Sequence, residues 1–171
     1  HGYSERETER LYDQAGSVRH LIHHELRYPP GSKVLEAGCG VGAQTVTLAQ
    51  NSPEAQFYAV DWAGKSLELA RDTVASQGIT NVEFSEADLF DLPFEAAYFD
   101  HLFICHLLEH QVEPVSGLKA LRKHLKPGGT VTVFEGDHGS CYFYPPSKDA
   151  QMTWNCLIEV QRRLGANSLI G

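Results

Sequence analysis

The sequence has few cysteines, no long apolar run and no excess of basic residues. Its 4 cysteines are spread over 171 residues without a CxxC pair, which disfavours a disulfide framework and indicates a reducing compartment. No apolar run approaches ~18 residues and no signal peptide opens the chain, so we expect no membrane span. The formal net charge of −8 disfavours a nucleic acid or an anionic membrane surface as partner. Together these absences predict a cytoplasmic protein.

The order of apolar and amphipathic segments predicts an α/β protein. Residues 1–30 have helical spacing of apolar residues, and the run YPPGS ends that segment because prolines cannot continue a helix. Five apolar runs then predict strands, and they are KVLEA, AQFYAVD, NVEF, YFDHLFIC and TVTVFEGD. Helices that alternate with strands indicate a parallel sheet. We therefore expect residues 1–171 to form one domain, with residues 1–30 as a helical cap.

A glycine-rich turn, EAGCGVG at residues 36–42, follows the first predicted strand. Glycines allow a tight turn and a close approach to a ligand, and a helix N-terminus offers free N–H groups. The spacing G-x-G-x-G differs from the dinucleotide fingerprint G-x-G-x-x-G. Glu36 would repel a pyrophosphate but attract a ligand that carries an ammonium or sulfonium group. Asp61 ends the second strand, where a carboxylate can bind ribose hydroxyls, and Trp62 can pack against a purine.

Five motifs together resemble the small-molecule group of class I S-adenosylmethionine-dependent methyltransferases. They run from about Lys33 to Asp137 in the order VLEAGCGVGAQT, AVDWAGKSLELA, EADLFDLPF, YFDHLFICHLLEH and LKPGGTVTVFEGD. The resemblance implies a three-layer Rossmann-like sandwich with a mostly parallel sheet of strand order 3-2-1-4-5. The family's sixth and seventh strands are expected to be missing, so that the chain is C-terminally truncated. Strand five would then be an exposed edge through which chains can associate.

The resemblance also implies a binding site for S-adenosylmethionine, with S-adenosylhomocysteine as the product. Glu36 and the glycines would border the methionine moiety, with Gly42 opening the next helix, and Asp61 would bind the ribose. Trp62, Asp88 and Leu89 would contact the adenine, and Cys105 and His106 would lie near the methyl group. Tyr12 and Gln14 would close over the cofactor, and KPGG at 126–129 would be a structural turn. The expected cofactor-binding residues are Tyr12, Glu36, Gly38, Cys39, Gly40, Asp61, Trp62, Asp88, Leu89, Cys105 and His106.

The reaction implied is methyl transfer to a small-molecule acceptor, whose reacting atom (O, N, S or C) stays open. Loop 135–144 is expected near the acceptor, because ligands of open α/β sheets bind beyond the carboxyl ends of the strands. His138 and His106 are the candidate catalytic residues, as proton acceptors. Two alternatives stay open. One is a methyltransferase-like regulatory or interaction module without turnover. The other is an NAD(P)-dependent oxidoreductase, which the spacing of the glycines disfavours.

The run HLLEH at residues 106–110 fits H-x-x-E-H, the pattern of inverted zinc peptidases. Such a site needs both histidines on one face of a helix. Here the run starts at the end of a predicted strand, and Pro114 leaves room for about one helical turn. We therefore predict no metal site and expect His110 to stabilise a short turn. His20, His23 and His24 are predicted to lie on a solvated or partly packed helix face.

Overall fold

The computed structural model describes the backbone of residues 5–171 and the side chains of residue 10 and residues 13–171. The helices are α1 Glu5–His23, α2 Thr45–Asn51, α3 Gly64–Ser76, α4 Pro114–Arg122 and α5 Lys148–Arg163. The strands are β1 Lys33–Ala37, β2 Gln56–Asp61, β3 Val82–Glu86, β4 Phe99–Cys105 and β5 Leu125–Phe134. Two short 3₁₀ turns cover Leu108–His110 and His138–Ser140. None of the described helices is long and apolar enough to cross a membrane.

The five strands form one parallel sheet in the order β3-β2-β1-β4-β5, which confirms the predicted topology. In the central strand β1, Leu35 lies opposite Tyr58 of β2 and Leu102 of β4. Because all strands are parallel, their carboxyl ends meet at one edge. The strand order reverses between β1 and β4, and open α/β sheets bind ligands in the crevice at such a point.

The core lies on both faces of the sheet, because helices cover both faces and the central strands β1, β2 and β4 are rich in buried apolar residues. The largest fully buried side chains include Leu35, Leu48, Phe57, Phe99, Leu102, Phe103, Ile104 and Leu121. A strand whose side chains are buried on both faces does not alternate apolar and polar residues. This explains the continuous apolar run from Leu102 to Cys105 in β4. This packing fixes the ends of β1, β2 and β4 relative to one another.

Two predicted boundaries are wrong. The KPGG run, expected to be a turn before the fifth strand, lies inside β5, where the pairing with β4 shifts between Phe99 and His101. Gly128 has a φ of 81°, a left-handed conformation that glycine adopts without strain, so the irregularity forms within the strand. Gly42 does not open the following helix, because α2 begins three residues later at Thr45.

Strand β5 is the edge of the sheet next to β4 and presents apolar side chains to solvent. Val131 is 45% exposed and Val133 is 41% exposed. Helix α5, which is described throughout, has no buried residue although Met152 and Val160 are among its side chains. An exposed apolar edge is a template for association, so association through β5 stays a prediction.

Helix α1 is tied to the glycine turn by His23. The His23 side chain is buried, its ring stacks on Phe103 of β4, and its Nε2 hydrogen-bonds to the Gln44 side chain just before α2. The His23 carbonyl also accepts a hydrogen bond from Asn51 at the end of α2. Burial lowers the pKa of His23 below its ordinary 6.5, although the Gln44 hydrogen bond opposes that shift. His23 is thus more deeply packed than its neighbours His20 and His24.

We expect His23 to make the fold less stable in mild acid. Because its pKa is lower in the folded chain than in the unfolded chain, only the unfolded chain gains the proton as the pH first falls through about 6.5. The His23 contribution to the free energy of unfolding is complete above that pH and declines below it. Urea unfolding at about pH 7.5 and about pH 5.5 measures the loss. A His23→Phe variant should lose less stability across this interval, and an equal loss in both proteins would contradict the assignment.

Candidate active site

Three neighbouring strands place polar side chains at one edge of the sheet. Glu36 lies near the end of β1, Asp61 is the last residue of β2, and Cys105 is the last residue of β4. The glycine turn begins directly after β1 and is hydrogen-bonded to β2, since Gly38 and Cys39 both donate to the Val60 carbonyl at 2.9 and 3.0 Å. The edge at the strand-order reversal is therefore the candidate active site.

The glycine turn needs glycine for two different reasons. Gly38 has a φ of 75°, and a Cβ added there would lie 2.8 Å from Leu107 Cδ1. Gly40 has a φ of 53°, but a Cβ added there would meet no atom within 4 Å. Gly38 thus permits the close packing of the turn against the segment after β4. Gly40 leaves open space in front of the turn.

The Asp61 carboxylate supports the glycine turn from β2. Its Oδ2 accepts a hydrogen bond from the Gly40 N–H at 2.8 Å, and its Oδ1 accepts one from the Ala63 N–H at 2.9 Å. A carboxylate offers about four acceptor positions, so two remain for a ligand. Asp61 therefore combines a structural role in the turn with remaining capacity to accept hydrogen bonds.

Glu36 is a buried carboxyl group beside the glycine turn. The residue is 3% exposed, and its Oε2 has no hydrogen-bond partner among the described residues. Burial raises the pKa of Glu36 to about 8; the Thr45 hydroxyl opposes this shift and the nearby negative charge of Asp61 adds to it. A buried acceptor without a partner is costly. This atom is the strongest sign that the edge is built for a ligand that donates hydrogen bonds.

The residues expected at the adenine end flank the same edge. Trp62 follows β2 and is 66% exposed, with its ring free for a ligand. Asp88 follows β3, and its Oδ1 accepts a hydrogen bond from the Phe90 N–H at 2.8 Å, forming a local turn. Leu89 packs against the apolar cluster that includes Leu108. The Asp88 carboxylate is exposed, so it retains acceptor capacity.

The two cysteines at the site are apolar wall residues in the folded chain. Burial raises the pKa of Cys39 well above its ordinary value, and burial also raises the pKa of Cys105 to about 12. Because the thiolate and not the thiol is the nucleophile, neither side chain is reactive at neutral pH. Both line the edge by packing.

His106 lies directly after β4 and contacts a glutamate that the sequence did not single out. Its Nδ1 is 3.5 Å from Glu109 Oε1, and its φ of 52° is in the left-handed region, which is rare for a residue other than glycine. The Glu109 interaction raises the pKa of His106. The contact between His106 and Glu109 was not predicted, because the HLLEH pattern gives Glu109 a role only in a helical metal site.

Glu135 binds the turn after β4, a role that the sequence did not predict; its place on the acceptor side stays a prediction. Its Oε1 accepts hydrogen bonds from the N–H groups of Leu107 and Leu108 at 3.1 and 2.9 Å, and its Oε2 accepts from Glu109 at 3.3 Å. The 3₁₀ turn Leu108–His110 is thereby held by a side chain from the end of β5. His110 was expected to stabilise this turn. Its side chain is 59% exposed, and its Nε2 lies 3.7 Å from Glu109 Oε1.

His138 lies in the second 3₁₀ turn and is held by α5. Its Nδ1 is hydrogen-bonded to Gln161 Oε1 at 3.2 Å, and its ring packs edge-on against Trp154, whose Nε1 donates to the His138 carbonyl. Asp137 begins this turn by accepting a hydrogen bond from Gly139. His138 is close enough to Glu109 to lower the pKa of that carboxyl group, although the hydrogen bond from His106 lowers it most. Only His106 and His110 form ion pairs with Glu109 among the described residues.

The residues expected to cover the site from α1 are only partly described. The Tyr12 side chain lies outside the described residues, so its role stays a prediction. Gln14 is exposed, and its Oε1 accepts a hydrogen bond from Arg10. The structure instead connects α1 to the site through the hydrogen bond between His23 and Gln44. This contact was not predicted, because the sequence around a single histidine in a helix does not indicate which residue it contacts.

Comparison with known proteins identifies a family model that matches residues 34–129, and its description is a methyltransferase domain. The demethylmenaquinone methyltransferase of Clavibacter sepedonicus is 37% identical over 105 residues, covering 61% of this chain and 41% of that protein. The ubiquinone/menaquinone biosynthesis C-methyltransferase UbiE of Geotalea daltonii is 27% identical over 121 residues, covering 70% of this chain and 52% of that protein. The chain spans about half the length of these curated relatives or less.

Solved structures share the fold. A S-adenosylmethionine-dependent methyltransferase from Aquifex aeolicus has a TM-score of 0.65 at 18% identity and covers 88% of this chain and 87% of its own. The [4+2]-cyclase SpnF has a TM-score of 0.59 at 25% identity and covers 78% of this chain and 50% of its own. The family match covers more than half of the chain and includes β1, the glycine turn, β2, β3 and β4. The chain therefore belongs to the methyltransferase-domain family, within the class I S-adenosylmethionine-dependent methyltransferases.

Proposed function

We propose that the protein transfers the methyl group of S-adenosylmethionine to a small-molecule acceptor. The observation that carries this proposal is the buried Glu36 carboxyl, one oxygen of which has no partner in the described part of the chain, beside a glycine turn that faces open space at Gly40. A carboxyl group there suits a ligand with a positive ammonium or sulfonium group and disfavours a pyrophosphate. A dinucleotide carries a negatively charged pyrophosphate, which the Glu36 carboxylate would repel.

The residues present fit the cofactor by their chemistry. Glu36 supplies an acceptor for the methionine ammonium group, and Gly40 allows the backbone to approach it. Asp61 keeps two acceptor positions for ribose hydroxyls after binding Gly40 and Ala63. Trp62 offers an exposed aromatic face to adenine, and Asp88 an exposed carboxylate to its amino group.

The cofactor, when bound, supplies an electrophilic methyl group on a sulfonium, so the chain's task is to orient the acceptor and exclude water. The acceptor atom gains the methyl and, if it is a hydroxyl, thiol or carbon acid, loses a proton. His138 and His106 are the proton acceptors that we propose, because both follow the carboxyl ends of strands, His106 directly after β4 and His138 in the 3₁₀ turn after β5. Histidine is the side chain that most often acts as a general base.

Binding of the cofactor should release a proton from Glu36. With its pKa raised to about 8, this carboxyl is about nine-tenths protonated at pH 7 in the free protein, and a neighbouring ammonium group favours its ionised form. Calorimetric titration with S-adenosylhomocysteine in buffers of different ionisation enthalpy should therefore report close to one proton released at pH 7. The number should fall towards zero above about pH 9.

A Glu36→Gln variant provides the control for this proton count. Glutamine fills nearly the same volume but carries no titratable proton, so any remaining cofactor binding should show no dependence on the buffer. Proton release of equal size in Glu36→Gln and in the unaltered protein would assign the proton to another group.

The acceptor itself can be sought by transfer of a labelled methyl group. The relatives' names point to demethylmenaquinone as the first acceptor to test, followed by small hydroxyl, thiol and amine compounds. Incubation with methyl-labelled S-adenosylmethionine should label one of these compounds and release S-adenosylhomocysteine. Tight cofactor binding with no label transferred to any acceptor would overturn the proposal and favour the alternative of a methyltransferase-like module without turnover.

A further inference from the structure

Three ligand-type side chains meet just beyond the ends of β4 and β5. They are His106 after β4, Glu109 in the 3₁₀ turn, and Glu135 after β5. Each offers one ligand atom, a ring nitrogen or a carboxylate oxygen, and these atoms all lie within 4.8 Å of one another. We propose that this cluster is a binding site for one divalent metal ion.

The Glu109 carboxylate is the part of the cluster that most needs a cation. Its side chain is 8% exposed, and its Oε2 is buried without a hydrogen-bond partner among the described residues. Its ion pairs run from Oε1 to His106 and His110, and both of these are charged only when protonated. A buried, incompletely compensated carboxylate is costly. A divalent ion between Glu109 and its neighbours would remove that cost.

Glu135 has acceptor capacity left for such an ion. Three of its roughly four acceptor positions are taken by the N–H groups of residues 107–109. These hydrogen bonds fix the carboxylate in place and leave one position free. The Glu135 carboxylate is therefore held in a fixed orientation and can still bind a metal ion.

The backbone holds His106 in the arrangement that the cluster requires. The His106 N–H donates to the Phe134 carbonyl at 2.9 Å, and its φ is 52°. The ring lies against Gly136, where an added Cβ would be 3.7 Å from His106 Cε1. Backbone strain at a residue other than glycine is often retained at functional sites. Here it directs an imidazole towards two carboxylates.

The ligand set selects the type of ion. One imidazole nitrogen and two carboxylate oxygens suit first-row divalent ions such as Mn²⁺, which favours carboxylates, or Zn²⁺, which favours imidazole, with coordination positions left open. An open position at this place would accept an anionic oxygen of the acceptor. That use of the ion rests on the proposed function, whereas the site itself does not. His138 would then be left as the proton acceptor.

The site can be tested with Mn²⁺ and no cofactor or acceptor, so the result is independent of methyl transfer. Protein freed of metal by chelation is titrated with Mn²⁺, and the electron paramagnetic resonance signal of the free ion is followed. We expect one ion per chain, with affinity weakened at least ~10-fold by His106→Ala and by Glu109→Gln. Glu109→Gln keeps the side chain's shape, which guards against a loss of folding. Zn²⁺ should displace the bound Mn²⁺.

A second histidine–glutamate pair provides the matched control. His24 and Glu25 lie 3.7 Å apart on the surface, with side chains 68% and 85% exposed, and a His24→Ala variant should bind Mn²⁺ normally. Absence of Mn²⁺ binding by the folded protein would overturn the proposal. Equal weakening by His24→Ala and His106→Ala would overturn it as well.

Discussion

A Gly40→Ala variant is expected to lose cofactor affinity while keeping its fold. The added Cβ would meet no protein atom within 4 Å, so the protein itself accommodates the methyl group. It would instead enter the space in which we place the cofactor, where overpacking costs ~1–3 kcal/mol, or about 5- to 150-fold in affinity. Calorimetric titration with S-adenosylhomocysteine measures the loss.

A Gly31→Ala variant separates this effect from backbone strain. Gly31 has a φ of 75°, and an added Cβ there also meets nothing within 4 Å. Both variants place alanine in a left-handed conformation and should lose ~1–2 kcal/mol of unfolding free energy. Gly31 precedes β1, at the opposite edge of the sheet, so its variant should bind the cofactor normally. Equal affinities of the two variants would show that the cofactor does not approach Gly40.

An Asp61→Leu variant should weaken cofactor binding by about 10- to 100-fold. The substitution removes the acceptor proposed for the ribose hydroxyls, and each buried polar group left without a partner costs ~1–3 kcal/mol. It also leaves the N–H groups of Gly40 and Ala63 without their acceptor, so the glycine turn itself loses order. Both the affinity and the free energy of unfolding should therefore fall.

Asp100 offers the matched control, because it performs a similar structural role at the opposite edge of the sheet. Its Oδ2 accepts a hydrogen bond from the Lys33 N–H at 2.9 Å, and its Oδ1 pairs with Lys126 at 2.6 Å. Asp100→Leu should reduce stability but leave the affinity for S-adenosylhomocysteine unchanged. If Asp61→Leu also leaves that affinity unchanged, the ribose is bound by other residues.

The sheet was predictable because its signals are local and agree with one another. Each strand is a short apolar run between polar segments, and the resemblance to a known family supplies the strand order. The glycine turn and Asp61 were predictable for the same reason. They follow predicted strands directly, and the carboxyl ends of parallel strands share one edge. The position of Glu36, the glycine turn and Asp61 at one edge of the sheet therefore follows from the sequence.

The interactions after β4 and β5 were not predictable, since they join residues far apart in sequence. Glu135 appeared to belong to the acceptor loop, yet it binds N–H groups 26 to 28 positions earlier in the chain. The role of Glu109 depends on its position near His106 and Glu135, with one buried oxygen that lacks a partner among the described residues. The HLLEH run lacks the helix of an inverted zinc peptidase, but two of its residues join a third ligand from another strand.

The most direct test of the account is a calorimetric titration of the protein with S-adenosylhomocysteine, with NADH as the comparison ligand. We predict saturable binding of one S-adenosylhomocysteine per chain, lost or strongly weakened in Gly40→Ala, and no binding of NADH. A folded protein that binds NADH, or that gives no saturable heat with S-adenosylhomocysteine, would contradict the assignment of the cofactor to the edge formed by Glu36, Gly40 and Asp61.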